Sequence, residues 1–385
     1  MTERGSSRFA WPVRRRTPAD LPGPEGTALP GPEGTAEDIA AQDIAEREAA
    51  DRRLPPPPPE PLIEAPPRFN LAVFRLAGLG LALVLALVLA LIRVIGSGPP
   101  SIAQLRAEAG VDAWPVLTVG VKGDQWGVGY YDPKAHIWSG FDIDIAYMIA
   151  EDLGFRREEV RFYAIESEDR ARMQATDPAS NPPNQRVPVK LVIASYSITA
   201  SRIAQGVNFA GPYLYTEQSV VTLEGHSPVN TFNDLTGKKV CSLSASTSTS
   251  ALTTAQAIVV TRNQVSECFD LLHKHEVEAI STDAAILGGY KAKDTGHKIH
   301  HWDIGLDSSE KWGINVGENK ALQTLVNVTL YKSWKDPHDD RWELAYQHNI
   351  QPEINANLPT PLAVAEQPPV PRPDVRQLPW ENDLP

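Results

Sequence analysis

Cysteine is scarce, with two in 385 residues, too few for a disulfide-rich scaffold or a structural zinc site. Positive charge is in deficit as well. The net charge is −12, and a chain that grips phosphates needs a basic stripe, so nucleic-acid binding is excluded. Lysine is missing before Pro100, where 11 Arg face 12 acidic residues, so nearly all the excess negative charge falls later. Catalytic signatures are missing too. There is no G-x-S-x-G elbow and no H-E-x-x-H pair, and Gly120, Gly123, Gly127 and Gly129 do not fit G-x-G-x-x-G. An enzyme is not indicated, and no cofactor is expected. Histidines gather at His297, His300 and His301 and at His273 and His275, but surface histidines are mostly unliganded, so no metal site is assigned.

Proline is abundant but confined. Of 34 prolines, 14 lie in residues 1–67 and 9 in residues 352–385. Proline fixes φ and removes a backbone donor, so such density is incompatible with helices or sheets. The organisation predicted is a disordered Pro-rich cytoplasmic segment over 1–68 and a disordered Pro-rich tail over 351–385. The N-terminal segment repeats LPGPEGTA at Leu21–Ala28 and Leu29–Ala36, then runs through Pro55–Pro59 as a stiff polyproline stretch. Its composition fits a spacer better than a docking arm.

One long apolar run exists. Leu76–Ile92 holds 17 residues without a polar side chain, about 25 Å as a helix, bracketed by Arg75 and Arg93. The prediction is a transmembrane signal anchor over 69–95, followed by a linker over 96–115. A secretory signal has a short basic leader, and here about 70 residues precede the run, so retention is expected. No cysteine directly follows it, which excludes a lipoprotein anchor. Arginines before the run outnumber those after it, so the N-terminus is placed in the cytoplasm and the folded part outside.

From Trp114 to Ile350 short apolar runs alternate with amphipathic stretches, the pattern of an α/β fold. Strands are predicted at Val116–Val121, Val189–Ala194, Lys238–Leu243 and Ala279–Thr282. Helices are predicted at Phe141–Leu153, Ser248–Val259, Val265–His275 and Asn319–Lys335. Ligands in such folds bind at the C-terminal ends of the strands.

Four blocks occur in order: GFDIDIAYMIAEDL (Gly140–Leu153), SITASRIAQGVNFAGP (Ser197–Pro212), DLTGKKVCSLSASTSTS (Asp234–Ser250) and STDAAILGGY (Ser281–Tyr290). Together they resemble extracellular solute-binding proteins of family 3, the polar amino-acid-binding proteins of ABC transporters, and most of all the actinobacterial glutamate-binding proteins. The resemblance implies a type II periplasmic-binding fold over 116–350. Two lobes (116–221 with 312–350, and 222–311) would close by a hinge on a ligand between them. It also implies Arg202 as a guanidinium fork for the ligand's α-carboxylate, with Ser246, Thr247 and Ser248 at a helix N-terminus adding N–H donors. For the α-ammonium it implies the Ser195 carbonyl, the Ser197 hydroxyl and the Asp283 carboxylate, although relatives commonly carry glycine and threonine where Ser195 and Ser197 stand. N-capping is the alternative for Ser246, Thr247 and Ser248, compatible with the first role, and for Asp283. Lys122 and Arg170 fall at positions facing a ligand's distal group, where two cations favour a carboxylate, and a solvated surface charge is the alternative for each. Trp126 is either a wall for the ligand's aliphatic stem or lobe packing. The same relatives carry both Cys241 and Cys268. A bridge would enclose 26 residues and stabilise by about 3–4 kcal/mol, and two buried thiols are the alternative.

The expectation is a membrane-anchored receptor for an acidic amino acid, glutamate or aspartate, working with ABC permease and ATPase subunits. A sensor subunit signalling across the membrane to a cytoplasmic kinase system is the second reading, because a long cytoplasmic arm is unnecessary for a receptor that only delivers ligand.

Overall fold

The structure is a computed structural model, and it describes residues 70–96, 98–177, 185–296, 298–304, 310–357, 366–377 and 384. The predicted disordered segment 1–68 lies outside these. Helix α1 (Leu71–Gly96) contains a stretch, Leu71–Arg93, long and apolar enough to cross a membrane by length and composition. At 23 residues it spans about 35 Å, beyond the 30 Å of a hydrocarbon core. Its leucines and valines are exposed, for example Leu79 at 68%.

Residues 83–385 form one compact unit, within which the contacts below lie. Its first element departs from the reading of 96–115 as a linker. Helix α2 (Ile102–Ala109) is closed at its start by a capping box between Ser101 and Gln104, and at its end by Gly110 in the left-handed region. The S-x-x-Q spacing satisfies two orphan N–H groups at once, and Leu105 is buried, so the segment is packed structure.

The strands of the first half are β1 (Leu117–Val121), β2 (Asp124–Gln125), β3 (Gly129–Asp132), β4 (Ile137–Ser139), β5 (Val160–Ala164), β6 (Gln174–Asp177), β7 (Gln185–Pro188) and β8 (Leu191–Ser197). Those of the second half are β9 (Phe209–Thr216), β10 (Gln218–Leu223), β11 (Lys239–Leu243), β12 (Ile258–Arg262), β13 (Ala279–Asp283), β14 (Ile299–Asp303) and β15 (Glu310–Asn315). They build a seven-stranded sheet, β7-β6-β5-β1-β8-β15-β9, a five-stranded sheet, β12-β11-β13-β10-β14, and a small hairpin sheet, β2-β3-β4. Strand β1 is parallel to β5 and β8, and β15 runs antiparallel between β8 and β9. Every residue of β8 is buried, which is why LVIASYS reads as a near-continuous apolar run.

Two connections join the sheets. The chain leaves the first at Glu217, between β9 and β10, and returns between β14 and β15. The crossings therefore differ from the expected boundaries at 221/222 and 311/312. Val220 and Val221 are fully buried and pair with β13 and β14, so they belong to the second sheet, while Glu310 and Lys311 pair with β9 in the first. The two sheets with their helices are called the first and second lobes below.

Helix α3 (Phe141–Asp152) packs against the first sheet, with Ile145 and Ile149 buried and Gly154 left-handed just beyond its end. Helix α4 (Ala200–Ala204) follows β8. Helix α5 (Thr247–Thr254) is shorter than the predicted Ser248–Val259. Gln256 takes a positive φ of 59°, and the β-branched Ile258–Val260 then enter β12, pairing in parallel with β11. Helix α6 (Val265–His273) is joined to the second sheet by the disulfide between Cys268 and Cys241 on β11, whose Cα atoms lie 5.5 Å apart. Helices α7 (Ala284–Lys293), α8 (Lys320–Lys335) and α9 (Arg341–Asn349) complete the two lobes.

The tail also departs from the disordered reading. Helix α10 (Gln351–Asn357) buries Glu353, and Val370 and Val375 are buried as well. Proline density argues against regular elements, yet it leaves isolated valines and a short helix free to pack on a preformed surface.

Candidate functional site

The C-terminal ends of β8, β11 and β13 meet where the two lobes face each other. Asp142, at the start of α3, sets the first piece. It is fully buried, and its carboxylate accepts from the Tyr213 hydroxyl at 2.7 Å and the Ser195 backbone N–H at 3.0 Å. Burial pushes its pKa up to about 7, against the hydrogen bonds from Tyr213 and Ser195. Ser195 itself sits at φ 44°, a left-handed conformation costly for a residue with a Cβ. Glycine would adopt that conformation without the steric cost. Besides the Asp142 bond, the Ser195 hydroxyl donates to Gln125 Oε1 at 3.0 Å.

Arg170 and Arg202 occupy the space beside Ser195. Arg170 is 3% exposed, so the surface-charge alternative does not describe it. It donates to the carbonyls of Ser167, Ala194 and Ser195 at 3.1, 3.2 and 3.0 Å. Arg202 donates to the Ser197 carbonyl at 2.6 Å, and from the first lobe to the second at Ala245, 2.7 Å away. Arg170 reaches the same Ala245 carbonyl at 3.4 Å. Both guanidinium carbons lie 4.5 Å from the ring centroid of Tyr196. Burial lowers the pKa of both arginines, Arg170 to about 10 with Arg202 adding to the effect. The Ser195 carbonyl, expected to meet an ammonium, thus accepts from Arg170. A guanidinium carries five N–H donors, so Arg202 retains donors beyond these two bonds.

Lys122 follows β1 and is buried, again unlike a solvated surface charge. Its ammonium donates to the Ser167 hydroxyl at 3.2 Å and across the lobes to the Asn263 carbonyl at 3.0 Å. Burial pulls its pKa down to about 8, with Asp124 opposing and Arg170 reinforcing. Asp283 ends β13 and stands at the N-cap position of α7, but its side chain makes no capping bond there. Its Oδ2 instead accepts from Trp312 Nε1, on the first lobe, at 2.6 Å. Burial raises its pKa to about 8, Glu310 adds to that, and Arg170 and Arg202 both oppose it. Asp283 and the two arginines therefore share one electrostatic environment.

Ser246 caps α5, its hydroxyl accepting from the Ser248 N–H at 3.3 Å, and Thr247 begins the helix. Ser248 is fully buried. Its hydroxyl has no hydrogen-bond partner among the described residues, nor do Gln125 Nε2 and Asn263 Oδ1. Such atoms are rare in folded proteins and suit a polar ligand. Ser197 is buried, and its carbonyl accepts from Arg202. Trp126 is placed elsewhere: it stacks on Tyr130 at 3.5 Å and carries the Lys293 ammonium 5.1 Å from its ring. A cavity of about 530 Å³ opens beside Lys122, lined by Asp124, Trp138, Glu166, Arg186 and Gln264, and the arginine pair lies outside it.

Sequence reasoning missed Asp142, Tyr196, Ala245 and Trp312. For Asp142 a signal existed, since it precedes Ile145 and Ile149 by three and seven residues and so shares their buried helical face. The other three act through a ring face, a carbonyl and an indole N–H set by the fold. Among the described residues, no group of three His, Cys, Asp or Glu side chains is placed to hold a metal ion.

The comparisons with known proteins agree with this architecture. The glutamate-binding protein GluB of Corynebacterium efficiens is 32% identical over 232 residues, 57% of this chain and 74% of that protein. The ABC transporter glutamine-binding protein GlnH of Bacillus subtilis is 27% identical over 227 residues, 58% of this chain and 78% of that one. Among solved structures, an ancestral arginine-binding protein bound to glutamine matches with a TM-score of 0.52 at 28% identity, over 61% of this chain and 97% of that chain. The two sheets joined by two crossings form the type II periplasmic-binding fold. The family model of the bacterial extracellular solute-binding proteins, family 3, matches residues 117–342, and the chain belongs to that family.

Proposed function

We propose that this protein is a membrane-anchored extracytoplasmic receptor that binds an acidic amino acid, glutamate or aspartate, and delivers it to an ABC-type importer. The observation that carries this reading is the charge of the interlobe seam. Lys122, Arg170 and Arg202 are buried there, and Asp283 is the carboxylate set against the arginines. Burial lowers the pKa of all three cations, because each is stripped of water there. A ligand with two carboxylates and one ammonium brings negative charge to these desolvated cations, whereas a cationic side chain would add a further charge to be desolvated beside them. Arg202 and the N-terminus of α5 would receive the α-carboxylate, Asp283 the ammonium, and Lys122 with Arg170 the distal carboxylate.

The GluB relative is a glutamate-binding protein by name, which supports the choice. Helix α1 would hold the receptor at the membrane with its lobes outside, as the arginines before the apolar run favour. The chain has one such helix among its described residues, so permease and ATPase subunits would do the transport. Calorimetry on the full chain in detergent tests the reading. Micromolar affinity for glutamate or aspartate, with none for lysine or histidine, is expected. The reverse order would overturn it.

A further inference from the structure

The C-terminal helix α10 touches both lobes. It follows α9, which packs on α3 of the first lobe, and lies against α7 of the second. Beyond it the chain is bound to the first lobe again. Gln367 donates to the Leu330 carbonyl at 3.3 Å, Val370 and Val375 are buried, and the Arg376 N–H donates to the Pro100 carbonyl at 2.9 Å. The first lobe therefore flanks α10 on either side in sequence, and its own face meets the second lobe.

Glu353 stands at that meeting point, 3% exposed. Two glycines make room for it. A Cβ on Gly127, in the first-lobe turn between β2 and β3, would collide with the Glu353 carboxyl. A Cβ on Gly289, in α7, would collide with the Trp126 carbonyl and lie 2.7 Å from Glu353 Oε1. Backbone of the two lobes and one buried carboxyl thus converge where only glycine fits. Neighbouring contacts cross at the same seam: Tyr290 of α7 donates to the Asp124 carbonyl at 2.5 Å, and Asp124 Oδ2 accepts from the Ser266 N–H at 3.0 Å.

We infer that α10 is an interlobe strap, and that Glu353 is a positioning residue holding the lobes closed without touching the ligand. Opening at Glu217 and the β14–β15 connection must separate α7 from α10 or from the Trp126–Gly127 turn. Either separation exposes the junction around Glu353, so the strap biases the empty protein toward closure and slows ligand release. Burial also holds the Glu353 carboxyl well above the usual carboxylate range, with Lys293 opposing. A neutral isostere should therefore replace it.

The test measures an interlobe distance in the full chain. Both native cysteines are bridged, so Arg161→Cys and Lys274→Cys, exposed on opposite lobes, supply the only free thiols for spin labels. Without ligand, the parent protein and Glu353→Gln should share one short distance. Glu353→Ala, and Gly289→Ala pressing from the other side, should add a longer population. In glutamate binders among these variants, release should quicken roughly tenfold in the two alanine variants, with the order of ligand preference unchanged. A Glu353→Ala or Gly289→Ala protein that folds and keeps the parent distance distribution overturns the strap. The distance is read on empty protein, so a failure to bind glutamate would count against the receptor reading alone.

Discussion

Trp312 Nε1 donates to Asp283 Oδ2 at 2.6 Å, so the carboxylate that ends β13 of the second lobe is held by a strand of the first. Trp312 is fully buried on β15, directly after the returning crossing. The bond ties a strand beside the returning crossing to the proposed binding seam, and lobe rotation and carboxylate orientation should be coupled through it. Trp312→Phe keeps most of the apolar packing and removes the donor. A lower ligand affinity, by up to about tenfold, is expected from calorimetry, since the acceptor loses a hydrogen bond worth about 0.5–1.5 kcal/mol.

Asp283→Ala should weaken amino-acid binding by at least about 100-fold while raising the melting temperature of the empty protein. The substitution deletes the proposed ammonium acceptor, but it also deletes a buried carboxyl whose charged form is disfavoured by burial. Thermal melts with and without ligand separate the two effects. A melting temperature that falls by many degrees would mean that Asp283 is chiefly structural.

Arg202→Ala should abolish detectable binding. It leaves the Ser197 and Ala245 carbonyls without this donor, yet relieves the crowding of two cations around Tyr196. The two costs oppose each other, so the empty protein should change in stability by no more than about 1–2 kcal/mol in urea titrations. Arg202→Lys should not restore binding, because an ammonium lacks the planar pair of donors.

Lys122→Met tests the proposed distal subsite. Glutamate affinity should drop far more than glutamine affinity, because a cation opposite a carboxylate is worth more than one opposite an amide. Equal losses for both ligands would place Lys122 in lobe closure through Asn263 rather than in ligand selection.

The pH dependence has a defined sign. Asp283 and Asp142 have folded pKa values of about 8 and about 7, raised above the ordinary 3.8 by burial. Raised acids make the folded state bind more protons, so their contribution to stability is present at low pH and is lost as pH climbs from about 4 to about 8. Lys122 is lowered from 10.5 to about 8, so the folded state gains stability from it between about 8 and 10.5. Melting curves of the empty protein should show a shallow minimum near pH 8, and a monotonic rise from pH 5 to pH 8 would contradict this assignment.

Reducing the Cys241–Cys268 bridge should cost about 3–4 kcal/mol of unfolding free energy, the loop-closure value for the segment it encloses. The double variant Cys241→Ser, Cys268→Ser should show the same loss without reductant. Ligand affinity should be nearly unaltered, because the bridge joins β11 and α6 within the second lobe.

Much of the fold was legible because its signals are local. Fully buried strands such as β8 and β13 announce themselves as continuous apolar or small-residue runs, and α3 by its helical spacing. Two local misreadings share a cause. Ile258–Val260 continue an apolar pattern begun in α5, and only the left-handed Gln256 and the partner strand β11 decide that they form β12. Ser101–Ala109 looked like linker because nothing in its own composition says that Leu105 has a surface waiting for it.

The site divides along the same line. Arg202, Asp283 and Ser246–Ser248 could be proposed in advance because they fall within sequence blocks that resemble those of the solute-binding family. Which atoms face them could not. The Ala245 carbonyl, the Tyr196 ring and the Trp312 indole come from segments far apart in sequence, and their directions follow from how two sheets close on each other. By itself the sequence determined the membrane-length helix, the α/β class and the approximate places of the buried strands. The tertiary structure alone decided where the lobes divide, that the tail folds back onto them, and which charges are stripped of water together, since desolvation depends on every neighbour at once.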